Sequence, residues 1–209
     1  MLMFSRLLTL SGSPRRAMPW AVGITEYVNA HSSLSVSCWL GGFGYPLGTV
    51  AWSSLVDSQA ALAAGTADLL TDPAYFDMIE SAADMVAGPG QDSLRELVYG
   101  TPGEPPALGA VTNVTTATAI VDRMADAVGW AVEIAQHVES VINTPVAVLT
   151  DVFGTLGTIT WISSQPDFAA ADTARGKISA DGDYLKRVSG SKGLFIEGSG
   201  HVGQVTRIA

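Results

Sequence analysis

Apolar and polar positions along the chain follow two rhythms, one of period two and one of period 3.6. Residues 2–10 are apolar and β-prone, and the SGSP stretch at 11–14 ends them as a turn. From Arg15 to Ala30 the period becomes helical, with Ala17, Trp20, Ala21, Ile24 and Val28 on one face. Residues 34–40 alternate as a strand, with Leu34, Val36, Cys38 and Leu40 on one side. The glycine-rich run from Gly41 to Gly48 turns the chain into a second strand over 49–55, completing a hairpin. An alanine-rich helix runs from about Asp57 to Leu70. Asp72-Pro73 starts another helical piece toward Met85, since proline is tolerated at a first helical position. Gly88-Pro89-Gly90 stops it, and Leu94 to Tyr99 reads as a last strand. The order is β-α-β-β-α-β, the ferredoxin-like unit.

The same landmarks return later in the chain. Trp20, Ala21, Val22, Ile24 and Val28 reappear 110 residues on as Trp130, Ala131, Val132, Ile134 and Val138. Val36 matches Val146, and Phe43-Gly44 matches Phe153-Gly154. One residue is then dropped: Leu47-Gly48-Thr49 and Trp52 match Leu156-Gly157-Thr158 and Trp161. Asp72 and Tyr75 match Asp181 and Tyr184, and Gly88-x-Gly90 matches Gly198-x-Gly200. Two copies of one unit follow, residues 1–100 and 107–209, joined by the proline- and glycine-rich stretch 101–106. In the second copy the helix is expected to start earlier, near Thr118, with Ile120 and Met124 on its stripe. Strands are expected at 146–149, 158–162 and about Val202 to Ile208, with a helix break at Asp181-Gly182.

The duplicated unit and the glycine turn before its final strand resemble the dimeric α/β-barrel superfamily, in its tandem, single-chain type. The resemblance covers nearly the whole chain. It implies an α+β fold in which two ferredoxin-like repeats close one intramolecular α/β barrel. Each sheet has one face under its own helices and needs a partner for the other. The superfamily includes cofactor-independent and haem-linked monooxygenases alongside non-catalytic proteins, so the resemblance implies a small hydrophobic or aromatic ligand, and either no cofactor or haem.

Composition narrows the partners. The 209 residues are 47% apolar and only 15% charged, with a net charge of −9. Both halves are acidic, which leaves no basic field for nucleic acid. No formal charge falls between Tyr27 and Val56, but Asn29, His31, Pro46 and the glycines punctuate that stretch for turns, not for a membrane span. The apolar start is short and carries Arg6; it reads as a strand, with the cytoplasm as the expected location. The low charge content points to a homo-oligomer or a subunit of a complex.

Chemistry-bearing residues are few. The lone Cys38 alternates with apolar neighbours and reads as a buried thiol. Gly198-x-Gly200-x-x-Gly203 matches a dinucleotide fingerprint, but too little chain follows to form its helix. No P-loop, CxxC, HExxH or GxSxG occurs. Glu133 and His137 lie one helical turn apart where the first copy has Gly23 and Tyr27, so the two side chains could meet one ligand. His201, the counterpart of Gln91, sits in the tight turn before the last strand, and an imidazole there could act as a base or a haem ligand. Glu133, His137 and His201 are therefore the candidate catalytic residues. Trp20, Trp52, Trp130 and Trp161 occur in both copies and read as core. Trp39 has no matching tryptophan, Leu149 standing opposite, and is the candidate for a cavity or an interface. Asn29, Asn113 and Asn143 sit in no motif. Three functions are compatible: a small-molecule enzyme of monooxygenase type, a non-catalytic subunit docking through a low-charge surface, or a storage protein for a hydrophobic ligand.

Overall fold

A computed structural model describes residues 1–101 and 104–209. The first unit contains β1 (Leu2–Thr9), α1 (Pro14–His31), β2 (Val36–Gly41), β3 (Thr49–Val56), α2 (Gln59–Thr66), α3 (Pro73–Glu80) and β4 (Gln91–Tyr99). The second contains β5 (Val111–Thr118), α4 (Met124–Ile142), β6 (Val146–Phe153), β7 (Thr158–Gln165), α5 (Phe168–Ala180), α6 (Gly182–Ser189) and β8 (His201–Arg207). Residues 102 and 103 of the expected 101–106 linker lie outside the described residues.

The eight strands close one antiparallel barrel in the order β1-β3-β2-β8-β5-β7-β6-β4. Each unit supplies a ferredoxin-like sheet, β4-β1-β3-β2 and β8-β5-β7-β6. Closure occurs at two seams between the units, β2 against β8 and β4 against β6. The fold is α+β, a tandem ferredoxin-like duplication forming an intramolecular α/β barrel, and closure removes the sheet edges that a single unit would leave bare. Equivalent strands run in the same direction, so the internal two-fold lies along the barrel axis. Both hairpin turns, β2–β3 and β6–β7, therefore stand at the same mouth.

One sequence expectation needs correction. The helix of the second copy does not begin near Thr118, because Val111–Thr118 is strand β5. That run is rich in threonine and valine, whose branched side chains favour the pleated surface. The Ala119 N–H then bonds Gly157 O, a 3-10 turn spans Val121–Arg123, and α4 starts only at Met124.

The alternation of each strand separates two environments. One face packs under helices and forms the apolar core. In the first unit Ala17, Ala21, Ile24, Cys38, Val50 and Trp52 are buried there; in the second, Ala127, Ala131, Ala135, Val146, Val148 and Ile159. The other face lines the barrel lumen. Its period-two partners include Ser5, Trp39, Ser53, Arg95, Asp151 and Thr160, set among Leu7, Leu97, Leu149 and Ile162. The core thus lies between sheet and helices, while the lumen is mixed polar and apolar.

The two hairpin glycines test this geometry. Gly48 has φ +86°, and a Cβ on it would overlap Leu10 O, which accepts no room to move because the Leu10 N–H is bonded to Gly48 O at 2.8 Å. Its counterpart Gly157, φ +88°, would meet Ala119 O at 3.0 Å. Gly48→Ala is therefore expected to cost about 3 kcal/mol and Gly157→Ala about 1–2 kcal/mol, since a left-handed residue gains a Cβ in both but only one collides outright with backbone. Urea unfolding of the two variants checks the order; equal costs would mean that the first turn relaxes.

Candidate functional site

Among the described residues one ion pair joins the two units, and it lies in the lumen. Arg95 on β4 and Asp151 on β6 stand opposite each other across the seam, with Nε donating to Oδ1 at 2.9 Å. Their side chains are 20% and 6% exposed. Arg95 Nη1 reaches Ser5 Oγ at a long 3.4 Å, and Nη2 has no hydrogen-bond partner among the described residues. Burying two charges costs more than a moderate hydrogen-bond set returns, so such a pair does little for stability. The duplication shows that the fold does not need it. Gly41 and Val205, each 110 residues from its counterpart, face each other at the other seam, where Asp151 and Arg95 stand at this one.

Other polar groups line the same space. Trp39 projects from β2 into the lumen, and its Nε1 donates to Ser53 Oγ at 2.8 Å. Thr160 on β7 is fully buried, and its hydroxyl has no hydrogen-bond partner among the described residues. Many lumen residues, Ser5, Ala51, Ser53 and Ile162 among them, remain only half-buried, so the inside of the barrel is not sealed by its own side chains.

Tyr45, in the β2–β3 turn, covers part of one mouth. Gly203 on β8 lacks a Cβ, and the Tyr45 ring occupies the place one would take. His201 packs edge-on against Tyr45, ring centroids 5.3 Å apart, and donates from Nε2 to Gly44 O at 2.7 Å. Burial pushes the Tyr45 phenol above its ordinary range, with the Arg95 charge opposing part of that rise. The second copy's turn is one residue shorter and carries no tyrosine, so the mouth is capped on one side only.

The candidate residues from the sequence do not converge. His201 begins β8 at the mouth. His137 lies on α4, outside the barrel, where Nε2 donates to Asp181 Oδ1 at 2.8 Å. Asp181 also caps α6 by accepting from Tyr184 N at 2.6 Å. The His137 bond, then that backbone bond, hold the Asp181 carboxyl below its ordinary range against the opposing effect of burial. Tyr27 and Asp72 make the same contact in the first copy, where Asp72 caps α3. The repeated pairing ties a long helix to the start of a later one. Glu133 instead borders a surface groove of about 210 Å³ with Trp130, Ile134, Arg187 and Gly190, which is below the roughly 300 Å³ at which ligand pockets begin.

The three asparagines have local structural roles. Asn29 bonds Val36 N and O at 2.7 and 2.9 Å, Asn143 ends α4 in the left-handed conformation, and Asn113 accepts from Gln204 Nε2 at 2.9 Å. Cys38 is fully buried on the helix side, and burial pushes its thiol up to about 11. Each of the three histidines engages one ring nitrogen, His31 with Tyr27 O, His137 with Asp181 and His201 with Gly44 O. His31 and His137 lie on α1 and α4 outside the barrel, and His201 starts β8 at the mouth. Among the described residues, no three His, Cys, Asp or Glu side chains gather as a metal site, and no helix is long and apolar enough to cross a membrane.

Sequence reasoning missed Arg95 and Asp151. The available signal was a charge inside each of two predicted or adjoining strand positions where the other copy has valine or glycine.

Solved structures with the same architecture exist. A candidate monooxygenase from Fusobacterium nucleatum superposes with a TM-score of 0.73 at 8% identity, covering 100% of this chain and 92% of that one. An anthrone oxidase-like protein gives 0.71 at 12% identity, covering 100% and 91%. A candidate monooxygenase from Lactobacillus acidophilus gives 0.68 at 10% identity, covering 99% and 93%. No protein-family model matches the chain, and no curated protein matches it in sequence. These likenesses show the fold, an α/β barrel closed within one chain.

Proposed function

We propose that the chain binds a small aromatic or hydrophobic molecule in the barrel lumen and acts on it as a cofactor-independent, monooxygenase-like enzyme, with dioxygen as the oxidant. The observation that carries this is the buried Arg95–Asp151 pair, present at one seam and replaced by Val205 and Gly41 at the other. A charge pair retained against its desolvation cost, beside an unpartnered hydroxyl, is what a ligand site requires and a structural seam does not. The monooxygenase and oxidase names of the three structures support the reaction class by analogy of fold. His201 has a place in this reading as the residue that fixes the Tyr45 cap.

Native mass spectrometry of the protein from its own host, with an absorbance spectrum of the same sample, is expected to show a retained small molecule and no Soret band. His137→Tyr, which copies the Tyr27–Asp72 contact, is expected to keep the fold and the retained mass. Loss of the ligand in that variant would move the site to the groove beside Glu133.

A second reading rests on the mouth that carries both hairpin turns. Phe43, Leu47, Phe153 and Leu156 are 78%, 97%, 59% and 72% exposed there, at matching positions of the two copies. Together they present on the order of 500 Å² of apolar surface, more than half of the ~800 Å² that each partner gives to a standard interface. The occupant that fits is a second copy of this chain, because a patch with two-fold symmetry complements itself. A dimer in the same mass spectrum that falls apart in Leu47→Ser/Leu156→Ser supports an assembly role; a monomer at high concentration overturns it.

A further inference from the structure

We propose that the chain assembles head to tail, the acidic outer face of α3 in one copy docking on the basic outer face of α6 in the next. This surface is separate from both the lumen and the mouth that carries the hairpin turns.

The duplication supplies the comparison. Residues 57–84 of the first unit carry six acidic side chains and no lysine or arginine. The matching stretch of the second unit, 166–193, carries four acidic side chains, two arginines and all three of the chain's lysines. Charge reverses at single positions: Asp68 and Asp77 match Lys177 and Lys186, 109 residues on. Exposed apolar residues keep their places instead. Phe76 and Ile79 on α3 and their counterparts Leu185 and Val188 on α6 are all between 39% and 53% exposed. The two helices are also held alike. Trp20 Nε1 on α1 donates to Met78 O at 2.8 Å, and Trp130 Nε1 on α4 to Arg187 O at 3.0 Å. Two faces that share a backbone frame and an apolar centre but carry opposite charge are complementary to each other.

The charges also decide the symmetry. Among the described residues Asp77, Glu80 and Lys192 have no ion-pair partner, and Lys186 has only the exposed Asp183 at 3.2 Å. Packing α3 on α3, or α6 on α6, brings like charges together, which excludes a two-fold contact through either helix. Packing α3 on α6 sets Asp77 and Glu80 against Lys186 and Lys192, around the apolar centre. The internal two-fold places α3 and α6 on opposite sides of the barrel. Each docked copy therefore leaves one face of each kind free, and a heterologous contact of this type propagates into a ring or a filament. Each helix has eight residues and is about 12 Å long. One link thus belongs with the weak interfaces, below ~1,200 Å² of total buried surface, and assembly grows with protein concentration. A contact through the hairpin mouth is apolar and two-fold, so it stops at two copies.

Sedimentation velocity over a wide range of concentrations tests this, in the Leu47→Ser/Leu156→Ser background that removes the mouth contact. At about 0.1 M salt, charges more than ~10 Å apart are screened, so the net charge of −9 repels little while touching pairs still attract. The weight-average mass is expected to climb past two chains with concentration, and about 0.5 M salt to weaken each link at least threefold. Asp77→Lys/Glu80→Lys makes both faces basic, and Lys186→Glu/Lys192→Glu makes both acidic. Each variant alone should lose at least tenfold in self-association. An equal mixture of the two should recover the association of the parent, because basic and acidic chains then alternate; that recovery also shows that both variants are folded. Head-to-tail docking is wrong if the parent stays at one chain or stops at two. It is equally wrong if either variant alone associates like the parent, or if the mixture associates no better than its components. The lumen and mouth readings stand in each of those cases.

Discussion

Arg95→Val on its own is expected to destabilise the protein by about 3 kcal/mol, and Arg95→Val/Asp151→Ala to recover most of that loss. The single change leaves a carboxylate that is 6% exposed without its cation, and a buried charge without a partner is the costly state. The double change removes both charges and leaves a seam like the one formed by Gly41 and Val205, which closes without any ion pair. The recovery should be incomplete, because Arg95 also reaches Ser5 and because an alanine fills less of the seam than an aspartate. Urea unfolding of the parent, both single variants and the double closes a thermodynamic cycle. A large coupling with similar denaturant dependence in all four is expected. Additive single losses would mean that the two residues act separately. Four superimposable curves would mean that the lumen is wet enough to solvate either charge alone, and the argument from retained cost would fall.

The architecture was legible because the landmarks of a supersecondary unit are local. Tryptophans, hairpin glycines and helix stripes recur at a fixed offset, and each depends on neighbours within the same unit. The alternation that placed Leu34, Val36, Cys38 and Leu40 on one side matches the helix-facing side of β2. The expected helix near Thr118 failed where local pattern is weakest, since a valine- and threonine-rich run carries no helical stripe of its own. The lumen pair was not legible for a different reason. Arg95 and Asp151 are 56 residues apart, and they meet only because the β4–β6 seam fixes a register that neither strand encodes alone. A charge on a strand ordinarily reads as its solvent face, and here the opposite face from the core is the interior of a barrel. The duplication carried the hint. Asymmetry between the copies points to Glu133 and His137, yet His137 makes with Asp181 the contact that Tyr27 makes with the matching Asp72 in the first copy. Asymmetry at Gly41/Asp151 and Arg95/Val205 has no such shared contact behind it. Copies that differ in residue but agree in contact preserve structure; copies that differ in both have diverged for something else.

Trp52→Ala is expected to cost about 3–5 kcal/mol, the range for removing a large aromatic from a core. Trp52 is 8% exposed, stands edge-on to Trp20 at 6.0 Å, and packs among Ala21, Ile24 and Val50. Its indole N–H donates to Thr25 Oγ1 at 2.8 Å, and the Thr25 hydroxyl in turn donates to Ala21 O at 2.7 Å. The second copy shows the same joint without the relay. Trp161 stands edge-on to Trp130 at 6.1 Å and donates directly to Ala131 O at 3.0 Å, with Ala135 in the place of Thr25. The comparison predicts an unequal pair of results. Trp52→Ala loses the ring and opens a void that the rigid sheet and α1 cannot close. Thr25→Ala removes only the relay, and the indole can fall back on the direct bond that Trp161 already makes, so its cost should be near 1 kcal/mol. Urea unfolding reads both. A Trp52→Ala cost near that of Thr25→Ala would mean that the joint between α1 and β3 is held by the helix alone. A Thr25→Ala cost approaching that of Trp52→Ala would mean that the hydroxyl fixes the ring and that the two copies pack by different rules.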